Sequence, residues 1–165
     1  MRKQESRIIL LVLLSTIILC PIIATSAKKP EGPSYVTTDT LVWDPSGNEQ
    51  LPNGNVKIGW TVNAHWHGDG WDGIAVQYIK GIARTDEKGN GLWTAYGWGV
   101  FTGTIDGKSG EIYYRIRNNI LFEPFRFFGD HLSIWKGTGD FENIHGYGIL
   151  NFATNQAEMY IHFDP

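Results

Sequence analysis

Cysteine is almost missing from this sequence. Its single cysteine, Cys20, sits in an apolar run near the N-terminus, and none follows. Residues 28–165 therefore have no disulfide, no thiolate metal site and no cysteine nucleophile. Charge is scarce as well, at 19% of residues. Arg2, Lys3 and Arg7 against Glu5 leave +2 in residues 1–27 and −5 in the remainder of a chain whose net charge is −3. No basic stripe is visible along the acidic part. That excludes nucleic acid as an expected partner, because affinity there comes mainly from neutralising phosphates, and it disfavours docking on anionic lipid.

Helical periodicity is also lacking: no apolar stripe at 3.6-residue spacing persists for about three turns. Complete catalytic motifs are absent. No serine lies in a Gly-x-Ser-x-Gly elbow, and Gly137-Thr138-Gly139 is followed by neither Lys-Ser/Thr nor a helical pattern, so it is not a phosphate loop. The carboxylate pairs Asp86-Glu87 and Asp140-x-Glu142 fall in turn-like stretches, where solvated side chains are the rule. Nothing in the sequence sets them across a cleft as a glycosidase requires.

What is present begins with a targeting pattern. Residues 1–7 are basic and polar, Ile8 to Ile23 are mostly aliphatic, and Ala24-Thr25-Ser26-Ala27 supplies small residues. This is the layout of a secretory signal. It is expected either to be cleaved or to stay as a single anchor crossing the membrane through residues 8–27, and both place the rest of the chain outside the cytoplasm. Leu19 before Cys20 argues against lipidation. Residues 28–33 read as a tether and residues 34–165 as one domain.

That domain holds all 7 Trp, 7 Tyr and 8 Phe of the chain, with apolar and aromatic stretches cut by Gly/Asp/Asn clusters. Strands are expected at Tyr35–Trp43, Val56–His67, Ile74–Arg84, Trp93–Ile105, Gly110–Asn118, Arg126–Lys136, Gly146–Ala153 and Met159–Phe163. Strand-rich segments without crossover helices require an antiparallel sheet, as a barrel or a sandwich; glycines gathered on one face favour closure, so the expected fold is all-β, a single eight-stranded barrel. The clearest alternation puts Val56, Ile58, Trp60, Val62, Ala64 and Trp66 on one face and Lys57, Gly59, Thr61, Asn63, His65 and His67 on the other. Gly97, Gly99 and Gly103 share a face of the fourth strand, as tight coiling or a close neighbour would require.

Two segments carry a resemblance. Gly99-Val100-Phe101-Thr102-Gly103-Thr104-Ile105-Asp106-Gly107-Lys108-Ser109-Gly110 and Gly137-Thr138-Gly139-Asp140-Phe141-Glu142-Asn143-Ile144-His145-Gly146-Tyr147-Gly148 resemble the allene-oxide-cyclase-like barrel superfamily, in particular a small bacterial family of unknown function within it. The second is also similar to the Gly-Thr-Gly-x-Phe…Gly-Tyr stretch of plant dirigent proteins. The resemblance covers about residues 90–163. It implies an eight-stranded antiparallel barrel, sometimes with an apolar cavity in which cyclisation or guided coupling takes place. No catalytic residue carries over, since the acidic and aromatic cavity residues of the superfamily have no match here.

Three sets of residues are candidates for function. His65, His67 and Asp72 form the first: histidines two apart on a strand point the same way, with Cα atoms about 6.5–7 Å apart, so both imidazoles could reach one divalent metal. Gly59 and His65-x-His67 echo the first half of a cupin metal motif, although Asp72 replaces the expected Glu and no second half follows. The same residues also read as a polar strand end entering a hairpin. Trp60, Trp98 and Trp135 form the second set, as core filler or as a wall for a small hydrophobic ligand or a sugar. The third is Phe122-Glu123-Pro124-Phe125-Arg126-Phe127-Phe128, a candidate cavity mouth or homo-oligomer contact. His131, His145 and His162 are scattered. Three functions follow as expectations: a non-catalytic exported protein binding a small apolar ligand or a protein partner; an isomerase or cyclase working in a cavity; and a cupin-like metal enzyme.

Overall fold

A computed structural model of the chain describes residues 32–86, 91–122, 125–151 and 154–164, with the backbone alone at 85 and over 120–130. The targeting segment and the Phe122–Phe128 side chains therefore lie outside the described residues. Among these residues no helix is long and apolar enough to cross a membrane.

The protein is all-β, as the alternation requires. Its nine strands are β1 (Ser34–Asp44), β2 (Glu49–Gln50), β3 (Val56–Gly68), β4 (Trp71–Thr85), β5 (Gly91–Ile105), β6 (Lys108–Phe122), β7 (Phe125–Gly139), β8 (Ile144–Asn151) and β9 (Gln156–Phe163). Each of the eight expected strands is present, and β2 is an addition that pairs only with β3. Every pairing is antiparallel. Strand β1 pairs along Ser34–Thr37 with β9 and along Thr37–Asp44 with β3, so Thr37 opposes both Gln156 and His67. The ladder thereby closes into a ring, giving a barrel-like sheet.

Several strands run further than the sequence punctuation suggests, and the turns explain it. Asp69-Gly70 (φ 40° and 83°) and Asp106-Gly107 (φ 50° and 78°) are two-residue loops with both residues left-handed. That is the turn whose twist matches antiparallel strands, so pairing continues to Gly68↔Trp71 and Ile105↔Lys108. The Asp69 carboxylate accepts the Tyr35 backbone N–H at 2.7 Å, and that of Asp140 accepts Ser109 N–H at 2.9 Å, tying the turns to neighbouring strands.

The inner face is built in cross-strand rows that interleave rings with small residues. One row reads Val62, Gln77, Gly99, Tyr114. A Cβ on Gly99 would lie 2.5 Å from Tyr114 Cζ, so the missing side chain is what lets the tyrosine ring lie across the strand towards Gln77. A second row, Gly73, Gly103, Gly110, is covered by the rings of Phe101 and Phe141. Trp66 packs on Phe101 (5.8 Å between ring centres) and on Tyr114 (5.2 Å), and Trp71 on Phe101 (5.2 Å). Trp66, Tyr114, Phe101 and Phe141 are all under 2% exposed. Burying such a ring is worth about 1.5–3 kcal/mol, so this aromatic plug is a principal source of stability.

Tyr114 is the one buried phenol of the plug. Burial pushes its pKa well above the ordinary tyrosine range, with the Gln77 amide pulling weakly the other way although it lacks the geometry of a full hydrogen bond.

Gly99→Ala is expected to lower stability by about 2 kcal/mol through overpacking, whereas Thr102→Ala on the outer face should change it by less than about 0.5 kcal/mol; urea denaturation of both variants compares them directly. The raised Tyr114 pKa also gives a pH dependence. The folded protein keeps a proton that the unfolded chain releases above about pH 10, so this stabilisation is complete below that pH and is lost as pH rises through the folded value. Denaturation midpoints should fall between about pH 9 and about pH 11, and less steeply in Tyr114→Phe.

Candidate functional site

Strand β3 presents His65 and His67 on the outer, solvent-facing side, and its neighbours supply a carboxylate each. In the register, Asp39 of β1 lies opposite His65, and Asp72 of β4 lies opposite His67. The hydrogen bonds run on the diagonals instead. His65 Nε2 is 2.7 Å from Asp72 Oδ1, and His67 Nε2 is 2.9 Å from Asp39 Oδ2. Diagonal partners come within reach because twisted neighbouring strands bring one diagonal closer than the other. The two imidazoles stack with centres 5.0 Å apart and planes at 28°. Their side chains are 38% and 41% exposed, a rim position and not a core one.

Ligand-capable atoms of Asp39, His65 and His67 all lie within 4.8 Å of one another. The expected third ligand, Asp72, is not in that group; it holds His65 from the other side. Asp39 is the residue that sequence reasoning missed. It is 26 positions from His65, and nothing short of the β1–β3 register would have pointed to it.

The remaining histidines do not join this cluster. His145 and His162 face each other across β8 and β9, stack at 5.6 Å, and share Asp164 at 3.1 and 3.7 Å. Both side chains are half exposed, so this is a surface pair. His131 lies on the outer wall opposite Arg117.

The three tryptophans are not brought together. Trp60 sits on the inner face, edge-on to Trp43 at 5.6 Å and to Trp93 at 5.0 Å. Trp98 and Trp135 lie on the outer wall, 49% and 52% exposed. Trp98 stacks on Tyr78 at 4.4 Å. Trp135 is the extra residue of a bulge, since Tyr113 and Tyr114 oppose Lys136 and Ile134. Trp135 faces outward in step with the alternation Leu132 in, Ser133 out, Ile134 in; the bulge brings Lys136 out beside it, and the Arg115 guanidinium lies 6.0 Å from the Trp135 ring centre. Arg115 is itself opposite Trp98, so one cation is set between the two indoles.

The same wall carries two depressions of about 570 and 610 Å³ that share Thr94 and Tyr96. Lys57, Lys80 and Arg84 line one; Arg115, Arg117 and His131 line the other; no carboxylate lines either. Lys80, Tyr96, Arg117 and His131 form one cross-strand row. Four strands contribute one residue each, so this local grouping of Lys80, Arg117 and His131 about Tyr96 is invisible along the chain.

Replacing both His65 and His67 by alanine should change unfolding stability by no more than about 1 kcal/mol, because both contacts are exposed side-chain hydrogen bonds; a larger loss in urea melts would show the cluster to be structural. No family model, curated protein or solved structure matches this chain.

Proposed function

We propose that this chain is an exported, non-catalytic binding protein, a single closed barrel whose working surface is the outer wall over β4–β7, and that this wall takes a short acidic sugar chain. The observation that carries the reading is Tyr96. At 64% it is the most exposed of the large apolar and aromatic side chains among the described residues, and it stands between two depressions lined by Lys80, Arg84, Arg115, Arg117 and His131, with Lys57 at the edge of one already paired with Glu49. Flat aromatic faces suit sugar rings, while cations suit carboxylate or sulfate substituents. The row continues past His131 through Ile149 to Glu158, which limits the length of polyanion it accepts and favours an oligosaccharide over a nucleic acid. Export is proposed on the pattern of residues 1–27 alone, and the allene-oxide-cyclase-like ancestry on the two glycine-rich segments.

A small apolar ligand inside the ring is the less favoured reading, because Trp66, Tyr114, Phe101 and Phe141 occupy the interior. An isomerase or cyclase reading is favoured by one observation: Gln77, Asn118 and Tyr114 are polar groups on the inner face, and among the described residues Asn118 Oδ1 and Tyr114 OH have no hydrogen-bond partner.

Affinity electrophoresis of the full-length protein in gels containing polygalacturonate, with neutral dextran and anionic vesicles as alternatives, tests the proposal. Retardation by polygalacturonate alone is expected, weakened about tenfold in Tyr96→Ala and in Arg117→Ala and reduced by salt. Equal retardation by dextran, preference for vesicles, or indifference to both substitutions would overturn it.

A further inference from the structure

We infer that Asp39, His65 and His67 form a binding site for a borderline divalent transition ion such as Zn2+, with Asp72 as the carboxylate that orients His65. Four observations support this. Among the described residues, no other group of three or more His, Cys, Asp or Glu brings its ligand atoms within such a short mutual distance. The donors come from β1 and β3, whose ladder is regular from Thr37↔His67 to Thr40↔Ala64, so paired backbone holds them in place without a flexible loop. The two imidazoles are already parallel neighbours at 5.0 Å, so neither ring has to leave its strand face to approach a common ion. Each ring also has a carboxylate on it, at 2.7 and 2.9 Å.

Two imidazoles and one carboxylate are a donor set for Zn2+, Ni2+ or Cu2+ and a poor one for Ca2+ or Mg2+, which take oxygen ligands. In the site, Asp39 and His67 exchange the proton they share for the ion, and His65 completes a three-ligand face. Asp72 holds Nε2 of His65, which leaves Nδ1 as the nitrogen free for coordination. A carboxylate on the far nitrogen of a ligating histidine fixes its tautomer and raises its basicity, so Asp72 is a positioning residue and not a fourth ligand. The His145–His162 pair provides the contrast within the same molecule. It has two stacked imidazoles and a carboxylate, but only Asp164 serves both rings, and its atoms do not meet the same mutual closeness.

The test is equilibrium dialysis of the full-length protein, stripped with chelator, against Zn2+, followed by metal analysis, with the visible spectrum of the Co2+-loaded protein as a second readout. The expected result is one ion per chain and Co2+ bands of a nitrogen- and oxygen-ligated site. His67→Ala and Asp39→Ala should weaken binding about tenfold or more, and Asp72→Asn should weaken it less while shifting the Co2+ bands. A His145→Ala/His162→Ala double variant should bind as the parent does. Substoichiometric Zn2+ uptake at micromolar metal, retention of full affinity by His67→Ala or Asp39→Ala, or loss of binding in the His145/His162 variant would each overturn the assignment. Circular dichroism of every variant separates lost binding from lost folding.

Discussion

Closure of the ring rests on a single strand shared between two partners. Thr37 is the point at which β1 passes from β9 to β3, and with that handover each described strand except β2 has a ladder partner on both sides. A closed sheet of this kind fixes which side of every strand faces inward, because a slip of one residue in any ladder would turn all of its neighbours' side chains over. The interior then has to be filled by a fixed set of positions. Rings at Trp66, Phe101, Tyr114 and Phe141 can all be accommodated only because Gly73, Gly99, Gly103 and Gly110 lie under them. Ring closure and the glycine rows are therefore one constraint viewed from two directions: the first sets the positions, the second makes them packable.

Much of this was legible along the chain. The alternation from Val56 to Trp66 identifies the inner face of β3 without help, and the inward residues Ile58, Ala64 and Trp66 are buried. The shared face of Gly97, Gly99 and Gly103 announces close packing before any partner is known, although it does not reveal that the neighbour at Gly99 is a tyrosine ring. Strand ends were less legible, because Asp-Gly pairs read as broad loops when they are in fact minimal hairpins that lengthen the strands on both sides. The bulge at Trp135 has no sequence signal at all, and it resets the alternation, so that Trp135 and Lys136 both face solvent and Gly137 is buried. The site residues divide in the same way. His65 and His67 declare themselves by spacing within one strand, whereas Asp39 and the row of Lys80, Tyr96, Arg117 and His131 exist only through register between strands.

Whole-chain charge is a poor guide to the partners of such a sheet. Acidic residues concentrate in the hairpins, as Asp69, Asp106 and Asp140, where they accept backbone N–H groups or support left-handed turns. Cations concentrate on strand positions whose side chains point outward. The acidic excess of residues 28–165 is thus carried partly by groups already engaged in turn geometry, while the wall over β4–β7 presents positive charge. A net value of the wrong sign can coexist with a surface of the right one, since attraction at short range depends on the nearest charges and distant ones are screened beyond about 10 Å.

Exposed rings on the outer surface also differ among themselves in whether they have a partner within the sheet. Tyr78 stacks on Trp98, Tyr147 on Tyr160 at 4.8 Å, and Trp135 lies under Arg115. Such pairs lie over cross-strand neighbours and stabilise the ladder by fractions of a kcal/mol to about 1 kcal/mol each, which is sufficient reason for their presence. No ring of a described residue stacks on Tyr96, which opposes Lys80 on one side and Arg117 on the other. A large aromatic left without a partner, held between cations and above two depressions, contributes little to the sheet that carries it. Its place fits the binding surface proposed for this wall.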